Sequence, residues 1–525
     1  MTAIHSILLP DSNVMTFGTF GISEKENIDV RENKEIILTQ GHKLQRDVGD
    51  SQWMMHDVNS GVDFDIWDVN QGYSDSAHQL FKKPVIMDAF CSVVRVIDSD
   101  RVFILGGNKN QKEGMPDTQA STMIYNVKEK TFESSKSLNF KRWYGSIVRT
   151  GDNKLVMMGG EDVTTKEYSI VPEIIDLEKI DDGWKLLDKA ESSDLFGEAG
   201  GEEWLYPRAF LASDGNIVGI SYNKIWVMDK SNDYRISKTG EIPLVTGGIP
   251  NILENEIENL DHPLRGDQLR LLTIGSPVGS TNSAVMIEKD KVLIFGGKQN
   301  GIEYSPSNKV IQIDFSNSNS PKIEELGATK FARSNGNATI LPNGEVFLNG
   351  GHAFSDKIFS NLVPEIYNPK NSTSKELSDS RFRRNYHATS LLLTDGTILT
   401  AGGDVWNAEI FYPPYLFTKD WDNKTILAKR PKILDLNQEI NRGKLVIDIL
   451  SEEVVNKVTL ISTGSVTHAV GSDSKFITLE FSKLNHGQLQ IKIPEDRNEI
   501  QNGTYMLFLI NSSGVPSHGK IVNIN

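Results

Sequence analysis

One pattern of apolar and polar residues recurs along most of the chain. An apolar run is followed by a polar turn that contains Asp or Asn with Gly, then by a second apolar run, and usually by Gly-Gly. The segment ATSLLLTDGTILTAGG, which starts at Ala388, is one example, with Asp395 and Gly396 between the two runs. Because glycine accepts the positive φ angle of a tight turn, this pattern predicts an antiparallel hairpin.

Seven copies of the hairpin are visible. They start at His5, Cys91, Gly145, Ala209, Ser283, Asn337 and Ala388. A second pair of predicted strands follows most copies, for example in STMIYNVKEKTF, which gives a unit of four strands. A repeat of about 50 residues with four strands is typical of kelch-type β-propellers. The pattern therefore predicts a seven-bladed propeller over residues 1–428, and the alternative is a set of unrelated hairpins that share common turn residues.

The pattern changes at about Arg430. Alternating segments such as GKLVIDIL and GTYMLFLI, separated by turn residues, predict an immunoglobulin-like (E-set) β-sandwich over residues 429–525. The expected fold is therefore all-β, with the propeller followed by the sandwich. Two stretches, 40–88 and 242–282, are predicted to be long inserted loops that wall a substrate pocket.

Composition narrows the classes of function. The chain has 525 residues and a net charge of -15 at pH 7, which argues against nucleic acid or an anionic membrane as a partner. No apolar run reaches the roughly 18 residues that a membrane-spanning helix needs. The single cysteine, Cys91, excludes a disulfide within the chain. The first residues lack the pattern of a secretion leader, so we expect either a cytoplasmic protein or one whose leader has been removed. An acidic enzyme or binding protein is expected.

Residues with useful chemistry recur at one position of the repeat. Cys91, Tyr144 and His387 each stand fifteen residues before the first glycine of the pair that closes their hairpin. Equal register in a propeller places side chains at a similar height around the central axis. Tyr386 precedes His387 at the entrance of its strand, where a bent backbone allows neighbouring side chains to face one site. We therefore expect these four side chains to converge, and His468, in a turn of the second domain, is a further candidate.

Imidazole and oxygen donors of this kind suit Cu(II). Structural zinc normally takes four Cys or His ligands, and calcium takes a cage of carboxylates. Each residue alone has an ordinary structural interpretation, such as a buried apolar cysteine or a tyrosine that caps a core. The shared register favours a metal site, with a redox-inert metal or a non-catalytic kelch binding module as the alternatives.

Four motifs make the chain resemble the copper radical oxidases, the family of galactose oxidase and glyoxal oxidase. The motifs are Phe90-Cys91, Arg142-Trp143-Tyr144, Tyr386-His387 and Gly464-Ser465-Val466-Thr467-His468, in the family's order. The resemblance covers nearly the whole chain. The Arg-Trp-Tyr triplet and the ending LFLINSSGVPS are closer to glyoxal oxidase.

The resemblance implies a role for each motif residue. Tyr144 is expected to be a copper ligand joined to Cys91 by a self-processed thioether bond, and this linked pair carries the radical. Tyr386 is expected to be the axial ligand and general base, and His387 and His468 the imidazole ligands. The implied reaction oxidises a small aldehyde, or alternatively a primary alcohol, and reduces dioxygen to hydrogen peroxide.

The chain departs from galactose oxidase on the substrate side. That enzyme has a tryptophan stacked on the cross-link soon after the third Gly-Gly pair, whereas Glu161 and Asp162 stand there in this chain. Trp143 is the candidate replacement. Arg208 and Phe354 are candidate substrate contacts, with an inter-blade position as the alternative for Arg208. The resemblance also implies a secreted or periplasmic location, and the protein is expected to be a monomer.

Overall fold

The protein is built almost entirely of β-strands. The structure, a computed structural model, describes residues 3–18, 63–82, 87–108, 119–244, 276–299, 306–352, 360–403, 407–472, 474–485 and 487–525. These ranges contain one α-helical turn, Ser193–Phe196. Their 3₁₀ turns are Val69–Gln71, Asp75–Ala77, Ile180–Asp182, Asp188–Ala190, Lys230–Asn232 and Pro414–Leu416. No helix in these ranges has the length and apolar character to cross a bilayer.

Seven antiparallel sheets form the blades of a propeller, which confirms the architecture predicted from the repeat. Each predicted hairpin supplies the first two strands of its blade. The strands of blades one to four are β1 (His5–Leu8), β2 (Val14–Phe17), β3 (Asp63–Trp67), β4 (His78–Lys82), β5 (Val93–Val96), β6 (Arg101–Leu105), β7 (Thr122–Asn126), β8 (Thr131–Ser134), β9 (Ser146–Arg149), β10 (Lys154–Met158), β11 (Glu173–Asp176), β12 (Lys185–Leu186), β13 (Arg208–Leu211), β14 (Ile217–Ser221), β15 (Lys224–Asp229) and β16 (Arg235–Glu241). The strands of blades five to seven are β17 (Asn282–Glu288), β18 (Lys291–Gly296), β19 (Lys309–Asp314), β20 (Lys322–Ala328), β21 (Ser334–Ile340), β22 (Val346–His352), β23 (Glu365–Asn368), β24 (Thr373–Glu376), β25 (Ala388–Leu392), β26 (Ile398–Gly402) and β27 (Ala408–Phe411).

The prediction that 40–88 is one inserted loop is wrong for its second half, because β3 and β4 are the outer strands of blade one. Strand β3 alternates apolar and acidic residues, and its Phe64 and Ile66 are buried against blade two. A long interval separates these strands from the first hairpin, so the repeat pattern does not reveal them. Most of the other predicted loop, 242–282, lies outside the described residues.

A β-sandwich follows the propeller, as predicted from the alternating segments. A short hairpin, β28 (Phe417–Lys419) with β29 (Thr425–Leu427), leads into it. Its strands are β30 (Lys432–Asp435), β31 (Glu439–Ile440), β32 (Gly443–Leu450), β33 (Val455–Ser462), β36 (Phe476–Asn485), β37 (Gln488–Ile493), β38 (Gly503–Asn511) and β39 (Lys520–Ile524), and the strands β34 (Ser465–Thr467) and β35 (Val470–Ser472) lie between β33 and β36. The β34–β35 hairpin leaves the sandwich and pairs antiparallel with β1 in blade one. A turn of the second domain is thereby held against the innermost strand of the propeller.

Blades two, three, five and six are each joined to the next blade by a backbone contact of the Gly-Gly pair. In these blades the N–H of the second glycine donates to a carbonyl of the next blade, as from Gly297 to Arg333 (2.7 Å). The preceding residue, Gly296, has φ +65°, and a Cβ atom there would collide with the same Arg333 carbonyl oxygen. Glycine is needed at this position both for its backbone angle and for the close approach of the next blade.

A buried arginine fixes the entrance to blades three, six and seven. In blade three, Arg142 forms an ion pair of 2.9 Å with Glu173, both side chains being fully buried, and also donates to the carbonyl of Gly159 (2.7 Å). The equivalent pairs are Arg333–Glu365 in blade six and Arg384–Glu409 in blade seven. Each arginine therefore holds the chain just before its blade's first strand.

We expect Gly296→Ala to lower the free energy of unfolding by about 2 to 4 kcal/mol, because it adds both left-handed strain and a backbone collision. Gly327→Ala is the matched control, since Gly327 also has a positive φ (+104°) but has nothing within 4 Å of the place that an added methyl group would occupy. Its expected cost is about 1 kcal/mol. Thermal and denaturant unfolding of both variants measure the difference, and equal losses would contradict the inter-blade role of Gly296.

Candidate metal centre

Residues at the predicted register share an unusual backbone conformation. Cys91, Tyr144 and His387 have φ angles of 57°, 64° and 65°, although none is glycine. A fourth, Tyr206 of blade four, has φ 45°. The Tyr144 N–H donates to the Cys91 carbonyl (3.2 Å), and the Tyr206 N–H donates to the Tyr144 carbonyl (2.9 Å). These bonds place the first residues of consecutive blades side by side around the axis.

Blade seven has one extra residue between its buried arginine and the in-register position. The in-register residue is the second after the buried arginine in blade three (Arg142, Tyr144) but the third in blade seven (Arg384, His387). The extra residue is Tyr386. The insertion explains how two neighbouring side chains serve one site, since strand geometry alone would point them to opposite faces.

His468 comes from the tip of the β34–β35 hairpin. His468 and Ala469 have φ angles of 51° and 65°, the signature of a two-residue type I′ turn. Pairing of Thr467 with His5 of blade one sets the height of this turn in the propeller. The second domain thus contributes one side chain to a cluster whose other members belong to blades.

The five residues that the sequence singled out lie in one cluster, in which Tyr386 is partly exposed and the other four are buried. The Cys91 Sγ atom is 3.2 Å from His468 Nε2, and the donor atoms of Cys91, His387 and His468 lie within 4.8 Å of one another. The hydroxyl groups of Tyr144 and Tyr386 are hydrogen-bonded to each other. The rings of His387 and His468 meet edge to face, with centroids 4.6 Å apart.

Burial sets the protonation of this cluster. Cys91 is fully buried, and burial raises the pKa of its thiol well above the usual value. Burial, together with the neighbouring Cys91 and Tyr386, likewise raises the pKa of Tyr144. Burial and the nearby His387 lower the pKa of His468, so its imidazole is neutral at pH 7 and keeps a lone pair for a metal ion.

The donor set fits copper. It combines two imidazoles, two phenols and a thiol, which are ligands that suit Cu(II) better than the four Cys or His ligands of structural zinc or the carboxylate cage of calcium. Among the described residues, Cys91, His387 and His468 are the one group of three or more His, Cys, Asp or Glu side chains close enough to share a metal ion.

The predicted substrate residues have different surroundings. Trp143 lies beside the centre, with its ring centroid 4.0 Å from that of Tyr144. Its backbone pairs in both directions with Glu161, one of the two residues that follow the third Gly-Gly pair, and Glu161 forms an ion pair with Lys166 (3.0 Å). The ring of Tyr144 is therefore flanked by that of Trp143, although no tryptophan follows the third Gly-Gly pair.

Arg208 is buried between blades four and five. Both of its terminal nitrogens donate to backbone carbonyls, those of Tyr206, Ser280 and Asn282. The inter-blade interpretation fits this geometry, and these bonds turn the guanidinium away from a substrate role. Phe354 lies outside the described residues.

Tyr206 is a member of the cluster that the sequence patterns did not reveal. It stands fifteen residues before Ser221, the same register as the other cluster residues, but Ser-Tyr replaces the Gly-Gly pair of its blade. Its ring contacts that of Tyr144 edge to face at 5.1 Å, and its hydroxyl is 3.4 Å from His468 Nδ1. Counting the register in every blade, with or without Gly-Gly, would have found it.

Two families match the chain. The glyoxal oxidase N-terminus family matches residues 58–418, and the galactose oxidase-like Early set domain family matches residues 430–524. A galactose oxidase of Gibberella zeae is 29% identical over 268 residues, which are 47% of this chain and 38% of that protein. The aldehyde oxidase GLOX1 of Arabidopsis thaliana is 26% identical over 436 residues, which are 75% of this chain and 65% of that protein. The chain spans less than two thirds of the length of either relative.

A solved structure has the same fold. It is a fungal alcohol oxidase of the AA5 family in complex with copper, and it matches with a TM-score of 0.72 at 18% identity. The match covers 100% of this chain and 97% of the other. Propeller and sandwich are thus shared as one arrangement.

We expect the cluster to bind one Cu(II) ion, and we expect His387→Ala and His468→Ala to abolish stoichiometric binding because each removes an imidazole donor. His352→Gln is the control, since His352 is a buried histidine of blade six whose Nε2 lies 3.3 Å from the Asn335 amide. Equilibrium dialysis followed by metal analysis measures the bound copper. Full retention of copper by both alanine variants would contradict this assignment.

Proposed function

Because this chain belongs to the copper radical oxidase family that includes glyoxal oxidase and galactose oxidase, we propose that it oxidises small aldehydes and reduces dioxygen to hydrogen peroxide. One observation carries the proposal. Cys91, Tyr144, Tyr386, His387 and His468, drawn from three blades and from the second domain, meet in one cluster. A propeller that only binds a partner has no use for this convergence of thiol, phenol and imidazole groups.

Tyr144, Tyr386, His387 and His468 would hold the copper ion. When bound, the ion supplies a Lewis acid that binds the substrate oxygen and accepts one electron. Cys91, Tyr144, His387 and His468 are buried, which strengthens the electrostatic contacts among them, whereas Tyr386 is partly exposed. The low pKa of His468 keeps its imidazole available without competition from protons.

Cys91 and Tyr144 would be joined by a thioether bond. The thiol interacts with the Tyr144 hydroxyl, and both groups lie in the same apolar contact cluster. In this step an S–H and a ring C–H bond break and a C–S bond forms, while dioxygen takes up the two protons and two electrons to give hydrogen peroxide. The product is a tyrosine that is easier to oxidise, which supplies the second redox centre that a two-electron oxidation requires.

The two phenol oxygens suit the substrate chemistry. A hydrated aldehyde reacts with dioxygen to give a carboxylic acid and hydrogen peroxide, so one hydrogen must leave an oxygen and another must leave a carbon. Tyr386 Oη would accept the O–H proton as general base. Tyr144 Oη, its hydrogen-bond partner, would accept the hydrogen from carbon.

The glyoxal oxidase N-terminus family and the GLOX1 relative support an aldehyde as the substrate. The guanidinium of Arg208 is bonded to backbone carbonyls, and the rings of Trp143 and Trp204 both lie beside Tyr144. Oxidation of a primary alcohol is the second candidate, favoured by the galactose oxidase relative. The secreted or periplasmic location that the family resemblance implies belongs to the same proposal.

We expect aerobic incubation with Cu(II) to lower the intact mass by two hydrogens, and peptide mapping to place the loss in the peptides of Cys91 and Tyr144. Cys91→Ala should show no mass change, keep the wild-type circular dichroism spectrum, and lose peroxide production. An unmodified Cys91 in copper-loaded wild type would overturn the radical mechanism and favour the binding module.

We expect Tyr386→Phe to lower kcat for glyoxal by about 100-fold to 10,000-fold, because the substrate proton loses its acceptor. Tyr234→Phe, which removes a buried hydroxyl elsewhere in the propeller, should leave kcat unchanged. Peroxide release is measured in parallel with galactose, at equal copper content. A larger kcat/KM for galactose than for glyoxal would favour the alcohol oxidase alternative.

A further inference from the structure

Two residues lie on the side of His468 that faces away from Cys91. The Nε2 atom of His468 is 3.2 Å from the Cys91 sulfur, so this nitrogen faces the proposed metal position. The Nδ1 atom is 2.5 Å from Thr467 Oγ1 and 3.4 Å from Tyr206 Oη. A histidine that binds a metal through one nitrogen almost always bonds an outer partner through the other, and that bond fixes the tautomer and the ring orientation.

Thr467 alone does not tie His468 to the blade that carries Tyr144. It is the preceding residue on the same hairpin, and its pairing with His5 holds that hairpin against blade one. Tyr206 belongs to blade four, and its backbone N–H donates to the carbonyl of Tyr144 (2.9 Å). Its hydroxyl therefore connects the histidine of the second domain to the part of the propeller that carries Tyr144.

The packing of Tyr206 also supports a connection between His468 and Tyr144. Its side chain is 4% exposed, and its ring lies edge to face on Tyr144 at 5.1 Å and 5.4 Å from the ring of His468. Burial between these two rings leaves the phenol few alternative orientations. The left-handed backbone of Tyr206 places it there at a conformational cost, which residues with a functional task commonly bear.

We propose that Tyr206 is a positioning residue that holds His468 in the Nδ1–H tautomer, with Nε2 bare and directed at the copper site. The Nδ1–H group donates to Thr467 and Tyr206 together, and Tyr206 aligns it with Tyr144. The expected consequence, tighter copper binding in a better-defined geometry, rests on the proposed function.

The first test uses Cu(II) as the probe, in competition with a chromophoric chelator. We expect Tyr206→Phe to weaken Cu(II) affinity about 10-fold or more and to change the EPR hyperfine pattern of bound copper. Tyr234→Phe is the matched control, because it removes a buried tyrosine hydroxyl of the same blade that lies away from the cluster. The losses of Cu(II) affinity caused by Thr467→Val and Tyr206→Phe should be non-additive in the double variant, since both side chains contact the same nitrogen of His468.

The second test needs no copper. In metal-free protein labelled with ¹⁵N-histidine, we expect a single Nδ1–H tautomer for His468 in wild type and in Tyr234→Phe, and a mixture of tautomers in Tyr206→Phe. A wild type that fails to bind copper but shows this difference would overturn the proposed function and support the role of Tyr206. A Tyr206→Phe variant with the wild-type tautomer, copper affinity and EPR spectrum would overturn the inference.

Discussion

The close contact between the end of one blade and the entrance of the next is the constraint on which the structure depends. In blades three, six and seven a buried arginine holds that entrance by bonding a glutamate and a carbonyl of its own blade. The carbonyl of such an arginine accepts from the preceding blade, as Arg142 does from Gly107. A buried ion pair of this kind adds little net stability over an apolar pair, but removing one partner is costly. In blades three and seven this ion pair fixes the backbone two or three residues before the candidate ligands Tyr144, Tyr386 and His387.

This constraint also accounts for the strain in the cluster. Left-handed backbone at a residue with a side chain costs about 1 to 2 kcal/mol, and Cys91, Tyr144, Tyr206, His387 and His468 all adopt it. The inter-blade hydrogen bonds and the type I′ turn hold these conformations in place. The convergence of the side chains is thus maintained by backbone geometry before any metal binds, as expected of a preorganised site.

Much of the fold follows from local patterns, and part of the centre does too. The hairpins are predictable because each carries its own turn residues, and the fifteen-residue register finds Cys91, Tyr144 and His387 without a structure. Tyr206 was missed because its blade lacks Gly-Gly. The outer strands of blade one were missed because a long interval separates them from their hairpin. The placement of Arg208 could not be predicted, because its partners are backbone carbonyl groups, which every residue has. Two of the three carbonyls also belong to the entrance of the next blade, far away in sequence.

The position of His468 depends on a contact between distant parts of the chain. Thr467 pairs with His5, so a strand near the start of the chain must hold the hairpin that carries the last ligand. The same region closes the ring, because the Ser6 hydroxyl is hydrogen-bonded to that of Thr389 in blade seven (2.8 Å). Contacts between distant parts of a chain form late, since the entropy of loop closure opposes them until the intervening structure exists. The cluster is therefore complete only when the propeller is closed and the second domain has docked.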